Sequence, residues 1–232
     1  MSSTNHADPA DPQKRPYDSS RRRRRAEEER AATRRRVIDA ARQLFLERGY
    51  VATTMADIAR EAGVAMQSVY NAGQSKADLL HEVAMTAVGG DYDEVMVIER
   101  PFVAAIAAEP DAVRKVQLLA SALAEILERV TPVWVAYREA AAVDPGAAES
   151  LAATYRLRRQ TFGDFIALLP EERLRRPPDE TADAAWAIAS VDVLLLLLTL
   201  PGWDMARYAE WLSSTLVLQL LTAEPDASLP AG

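Results

Sequence analysis

Apolar residues recur at helical spacing along this chain from about residue 37 onward. Val37, Ala41, Leu44 and Phe45 stand at i, i+4, i+7 and i+8, one stripe of an amphipathic helix. Gly49 closes that helix as a C′ residue, a position that takes positive φ. Thr54-Met55-Ala56-Asp57 has the form of a capping box, in which the hydroxyl and the carboxylate each satisfy a free backbone N–H. It opens a short helix that runs to about Ala62 and stops at Gly63. A second short helix is expected from about Met66 to Ala72. Ser75-Lys76-Ala77-Asp78 is another capping box and starts a fourth helix toward Val88, ended by Gly89-Gly90. From Pro101 the pattern is helical throughout, with breaks expected at Glu109-Pro110, Thr131-Pro132, Asp144-Pro145, Pro177-Pro178 and Pro201-Gly202. No segment alternates with period two, and no internal repeat is found. The pattern predicts an all-α chain.

Two late segments are too apolar for a single contact face. Ala182–Leu200 is apolar nearly all round, unbroken from Val193 to Leu198, as suits a helix buried on every side. Asp204–Thr222 carries Tyr208, Trp211, Leu212, Leu216, Leu218, Leu220 and Leu221. Two such helices in 232 residues point to a second copy of the chain as cover, a homodimer through about 182–200 and 204–222. A thick monomer core is the plainer alternative. Asp192 lies within the first segment, and a buried carboxylate needs a partner that the sequence does not name.

Composition narrows the function classes. There is no cysteine, which excludes disulfides, thiolate metal sites and a cysteine nucleophile. His6 and His81 are the only histidines, too few for a histidine metal cluster. The nine glycines form neither GxGxxG nor GxxxxGK[ST]. No metal and no cofactor is expected. No apolar run approaches the ~18–20 residues of a membrane span, and the polar N-terminus lacks the apolar core of a signal peptide. The expectation is a soluble, cytoplasmic protein with no membrane partner.

Charge adds a direction. The net charge is −7, yet residues 1–80 hold 15 Lys/Arg against 11 Asp/Glu, and the remainder 12 against 23. A basic front on an acidic body suggests that the front meets a polyanion. Residues 1–20, with Pro9, Pro12 and Pro16 among polar residues, are expected to be disordered. Arg21, Arg22, Arg23, Arg24 and Arg25 follow, then Glu27–Glu29, so the run is either a DNA-reaching arm or a solvated tail.

The constellation at 53–80 decides what the front does. A helix-turn-helix needs a small residue where its helices cross, a turn residue tolerant of positive φ, and an apolar lock on the second helix. Ala59, Gly63 and Val69 supply these, with Ile58, Ala62 and Val64 also directed inward. The second helix then presents Met66, Gln67, Ser68, Tyr70 and Asn71. Gln and Asn pair bidentately with adenine, while Met and Tyr meet thymine methyls. A packing hairpin with no nucleic-acid role is the bland alternative.

The stretches at 37–50, 53–64 and 68–80 resemble the TetR family of transcriptional repressors, over about residues 34–80. The resemblance implies a homodimer with an N-terminal DNA-binding domain and a C-terminal domain that binds a small ligand. Position by position it assigns Thr54 to the phosphate-contacting start of the second helix, and Thr53 beside it joins the expected DNA-binding set. It assigns Gln67, Ser68 and Tyr70 to recognition-helix contacts and Lys76 to a phosphate; Ala65, Met66 and Asn71 complete the expected DNA-binding set. A lysine at a helix start also makes independent sense there, because free N–H groups favour a phosphate. Two departures stand out. Ala65 replaces the usual capping Ser or Thr, and Ala72-Gly73 replaces an aromatic pair, which suggests looser docking of the recognition helix on the next.

These readings divide the chain into a disordered Arg-rich arm (1–24), a DNA-binding domain (25–81), a regulatory and dimerisation domain (82–222) and a disordered tail (223–232). The expected function is a ligand-responsive repressor on a palindromic operator, with double-stranded DNA and itself as partners. A small apolar or amphipathic ligand would sit near Trp134, Tyr137, Phe162, Phe165 and Trp186. The competing classes are a helical hydrolase and a basic-tailed RNA or membrane-surface binder. The hydrolase lacks a plausible base, since His81 is expected to face solvent, and Glu171-Glu172 sit in a loop.

Overall fold

The computed structural model describes residues 19–93 and 95–223. Ten α-helices account for nearly all of the regular structure, and among the described residues there is no strand, only an isolated bridge between Leu174 and Leu221. The helix α1 (Ser19–Ala52) is interrupted at Gly49, whose φ of 79° is the left-handed turn expected there. Then follow α2 (Met55–Ala62), α3 (Met66–Ala72) and α4 (Lys76–Gly89).

These four helices form one head around a shared apolar centre. Val37, Ile38, Ala41, Leu44 and Phe45 of α1 are buried against Ile58, Ala59 and Ala62 of α2, Val69 of α3, and Leu79, Leu80 and Val83 of α4. Thr54 and Ser75 each make both halves of a capping box, with Asp57 and Asp78 respectively. Gly63 ends α2 at φ 63° and donates its N–H to the α2 carbonyl of Arg60.

The basic run is helical, not an extended arm. Arg21–Arg25 lie on the exposed first turns of α1, where Arg24 pairs with Glu28 at 3.7 Å and Arg25 with Glu29 at 3.0 Å. Opposite charges four residues apart support a helix, so the predicted boundary at residue 24 gives way to helix from Ser19. Residues 1–18 of the expected arm and 224–232 of the expected tail lie outside the described residues.

The body is built on α6 (Ala112–Ala141), with α5 (Pro101–Ala108) before it and α7 (Pro145–Ile166), α8 (Pro178–Ile188), α9 (Val191–Leu198) and α10 (Met205–Leu220) after it. The helix α6 packs against α1, α4, α7 and α10. The expected break at Thr131-Pro132 does not occur. A proline inside a helix forfeits one backbone bond at roughly 3 kcal/mol. Here Val130, Val133 and Trp134 are buried on either side of it, and that packing carries α6 through Pro132.

The segment 182–200 also differs from its expected form. It breaks at Ala189, where Ser190 caps α9 by accepting from the N–H of Val193. Nor is it buried all round: Leu196 is 67% exposed and Leu200 46%, and Leu218 of α10 is 65% exposed. The eight-residue α9 lies mainly on α6 and α10, and its outer side is left exposed at Leu196.

Candidate nucleic-acid interface and ligand cavity

Only Val69 of α3 is buried, and it locks the helix onto the head. The other side of α3 carries Met66, Gln67, Tyr70 and Asn71, all exposed, with Ser68 half-buried. Gln67 donates from its amide to Asn71 Oδ1 at 3.1 Å, so two adenine-competent side chains are aligned one helical turn apart. Ala65 occupies the N-cap position without a side-chain bond, leaving the first N–H groups of α3 uncapped by their own residue. Thr54 is exposed beside this surface, its hydroxyl engaged with Asp57 at 2.6 Å. The Asp57 carboxyl is held below its usual range first by that bond and next by Arg60.

Three assignments change with the geometry. Thr53 is 1% exposed and donates to the carbonyls of Leu44 and Gly49, so it belongs to the core and closes the end of α1. Lys76 turns inward: its Nζ donates to the carbonyls of Tyr50 at 2.8 Å and Thr53 at 3.0 Å, and lies 4.1 Å from the centre of the Tyr50 ring. Burial draws its ammonium below the usual lysine range, opposed by the charge of Asp144. Gly73 does not loosen the head. It is buried, and a Cβ there would lie 2.8 Å from Leu79, so Leu79 fills the space beside the glycine and α3 sits close on α4.

The helix α4 enters the body directly from the head. At its far end Arg129 of α6 donates to the carbonyls of Ala87 and Val88. At its near end Tyr50, Lys76 and Asp144 meet, Asp144 being the N-cap of α7. His81 is not solvent-facing as expected. Its Nδ1 lies 3.4 Å from both the Tyr137 hydroxyl and the Thr154 hydroxyl, between α6 and α7.

Within the body an apolar cavity of about 120 Å³ lies between α4, α6, α7 and the α8–α9 junction. Of the aromatic residues expected to line it, Trp134, Phe162 and Phe165 do. Tyr137 does not; it is wholly buried and donates to Ser150 at 2.6 Å. Trp186 stands behind Tyr155, their rings 6.2 Å apart, and it too is absent from the wall. The residue missed by sequence reading is Arg158, which lines the cavity with its guanidinium between the rings of Phe162 and Trp186. It donates to the carbonyls of Trp186 and Ala189, the end of α8. Asp192 stands at the rim of this cavity, paired with Arg138 of α6.

Residues 37–83 match the family model of bacterial regulatory proteins, tetR family. The match covers the head, from within α1 to within α4, and identifies that segment as a TetR-type domain. Within that segment α2 and α3 occupy the place of the helix-turn-helix. No curated protein is significantly similar to the chain. Among solved structures it resembles NalD of Pseudomonas aeruginosa, the secondary repressor of a multidrug efflux pump, at 23% identity and TM-score 0.58, covering 82% of this chain and 96% of that one. It also resembles SmeT in complex with triclosan, at 19% identity and TM-score 0.62 over 87% and 98%. A transcriptional regulator from Saccharomonospora viridis in complex with choline matches at 21% and TM-score 0.58 over 82% and 98%.

Proposed function

We propose that this chain is a TetR-family ligand-responsive repressor that binds a two-fold symmetric operator as a homodimer. The observation that carries the reading is the outward face of α3, where Met66, Gln67, Tyr70 and Asn71 are exposed on a helix anchored by Val69. Gln67 and Asn71 read adenine edges in the major groove, while Met66 and Tyr70 contact thymine methyls. Thr54, exposed at the start of α2, contacts a phosphate that sets the register. The exposed leucines at 196, 200 and 218 support a second copy of the chain as their cover.

Ligand responsiveness rests on the cavity and on α4. The same helix carries the head at its start and borders the cavity with Met85 and Val88 near its end. A ligand that prefers one tilt of α4 changes the separation of the two heads, and so lowers operator affinity by linkage. The ligand complexes of the S. viridis regulator and of SmeT, and the repressor role of NalD, support this reading for a shared fold.

Selection of bound duplexes from a random pool tests it, together with the solution mass of the full chain. The expected outcome is a palindromic consensus bound by a dimer. A monomeric mass at micromolar concentration, unchanged by DNA, would refute the dimer; an unselective pool would refute the repressor.

A further inference from the structure

Arg158 is a charged group on the wall of an otherwise apolar cavity. Met85, Val88, Leu123, Leu127, Val130, Trp134, Phe162 and Phe165 supply most of the rest of that wall. The guanidinium has five N–H donors, and among the described residues it donates to the backbone carbonyls of Trp186 and Ala189. No carboxylate among the described residues forms an ion pair with it. The acid on the cavity wall, Asp192, pairs with Arg138 and makes no ion pair with Arg158, although its charge favours the guanidinium from a distance. Burial lowers the Arg158 guanidinium to about 10, which still leaves it charged at neutral pH.

Its surroundings are equally rich in donors. Trp186 Nε1, on the ring stacked beside the guanidinium, is buried without an acceptor. So is the hydroxyl of Tyr208, which the Arg158 charge reaches. Buried donors are almost always satisfied in folded proteins, and a buried charge without a counter-charge is costly. On the cavity wall itself, Arg158 is the donor without an ion-paired carboxylate; Trp186 and Tyr208 stand behind it.

We infer that the cavity takes a small organic carboxylate, its apolar body among Trp134, Phe162 and Phe165 and its carboxylate on Arg158. The planar fork of a guanidinium suits two carboxylate oxygens. The size follows from the volume: an apolar protein cavity of roughly 150 Å³ takes up benzene. About 120 Å³ therefore accommodates one ring or a short alkyl chain. This inference rests on the proposed ligand-responsive role for the occupant's purpose, but its chemistry is testable without DNA.

The test is calorimetric titration of the full-length protein, free of DNA, with benzoate and phenylacetate against benzyl alcohol, toluene and benzyltrimethylammonium. Trp134 fluorescence serves as a second readout. The expected result is that a carboxylate binds roughly ten- to hundredfold tighter than its uncharged counterpart, the difference a hydrogen-bonded charge makes. In Arg158→Gln that preference should vanish while the uncharged ligands bind as before. Arg158→Lys, which keeps the charge and loses the fork, should retain part of it. Should Arg158→Gln fail to fold, the wild-type comparison still decides. Equal binding of acid and alcohol, tighter binding of the ammonium, or no uptake of either carboxylate at millimolar concentration would overturn the inference. Operator selection by the unliganded protein is unaffected by any of these outcomes, so the two readings fail separately.

Discussion

The hydroxyl of Tyr50, at the end of α1, donates to Asp144 Oδ2 at 2.6 Å, across the boundary between head and body. The other carboxylate oxygen of Asp144 accepts from the N–H groups of Gly146 and Ala147, capping α7. Lys76 at the start of α4 lies over the same tyrosine ring and holds its carbonyl. Three helices of different parts of the fold thus meet at one phenol, next to the turn from α1 into α2.

Tyr50→Phe removes this junction without opening a cavity. The expected cost is about 1 kcal/mol, the usual net worth of one hydrogen bond. The pH profile should change with it. The Tyr50 bond holds the Asp144 carboxyl below the usual 3.8, so the native state gains stability above that value and loses it as pH falls through the lowered one. Tyr50 itself is raised above 10.0, chiefly by burial and then by the Asp144 bond, so its contribution is lost as pH climbs beyond 10. Thermal unfolding from pH 3 to 11 should show both flanks flattened in Tyr50→Phe; unchanged flanks would mean that the junction is not formed in solution.

Gly73→Ala should destabilise the head, because its Cβ would stand 2.8 Å from Leu79 and 3.0 Å from the Leu79 backbone nitrogen. Overpacking of this kind costs about 1–3 kcal/mol. Denaturant titration measures the loss, and adding Leu79→Ala should make the two changes less than additive. Strict additivity would show that the two positions do not press on each other.

On the recognition helix, Gln67→Ala and Tyr70→Ala should each relax the selected sequence at particular base pairs, at about 1–3 kcal/mol per lost base contact. Lys76→Ala should instead leave the salt slope unchanged, because its ammonium is held inward by the Tyr50 and Thr53 carbonyls. It should also lower the melting temperature, since Lys76 closes the end of α1. A slope reduced by about 0.9 per site would show instead that Lys76 reaches a phosphate.

What was legible in the sequence was what neighbouring residues determine. Both capping boxes, Gly49 and Gly63 act within one turn, so their roles follow from residue type and spacing. Val69 and the exposed face of α3 follow from period 3.6 once the turn is located. The rest depended on partners far away in the chain. Asp144 meets Tyr50 across 94 positions, and His81 meets Thr154 across 73. Arg158 looks like any helical arginine until the end of α8, which it caps, is folded against it. Pro132 misled for the converse reason, a local breaker overruled by the burial of its neighbours.

The last prediction concerns Arg21–Arg25. Their helix leads directly into the α1 stripe that supports α2 and α3, so the five side chains project from the head rather than trail as a free tail. A helical arm keeps its charges at a fixed distance from the recognition helix, which suits contact with backbone phosphates flanking the major-groove site. Arg24 and Arg25 already face Glu28 and Glu29, but those pairs are exposed and weak, and a phosphate can displace the glutamates. Deleting residues 1–25 should therefore flatten the log–log salt dependence by about 0.9 for each phosphate lost, with two arms in a dimer. The preferred base sequence should not change. An operator titration across salt measures this directly: an unaltered slope would show that the glutamates keep the arginines and that DNA does not reach them.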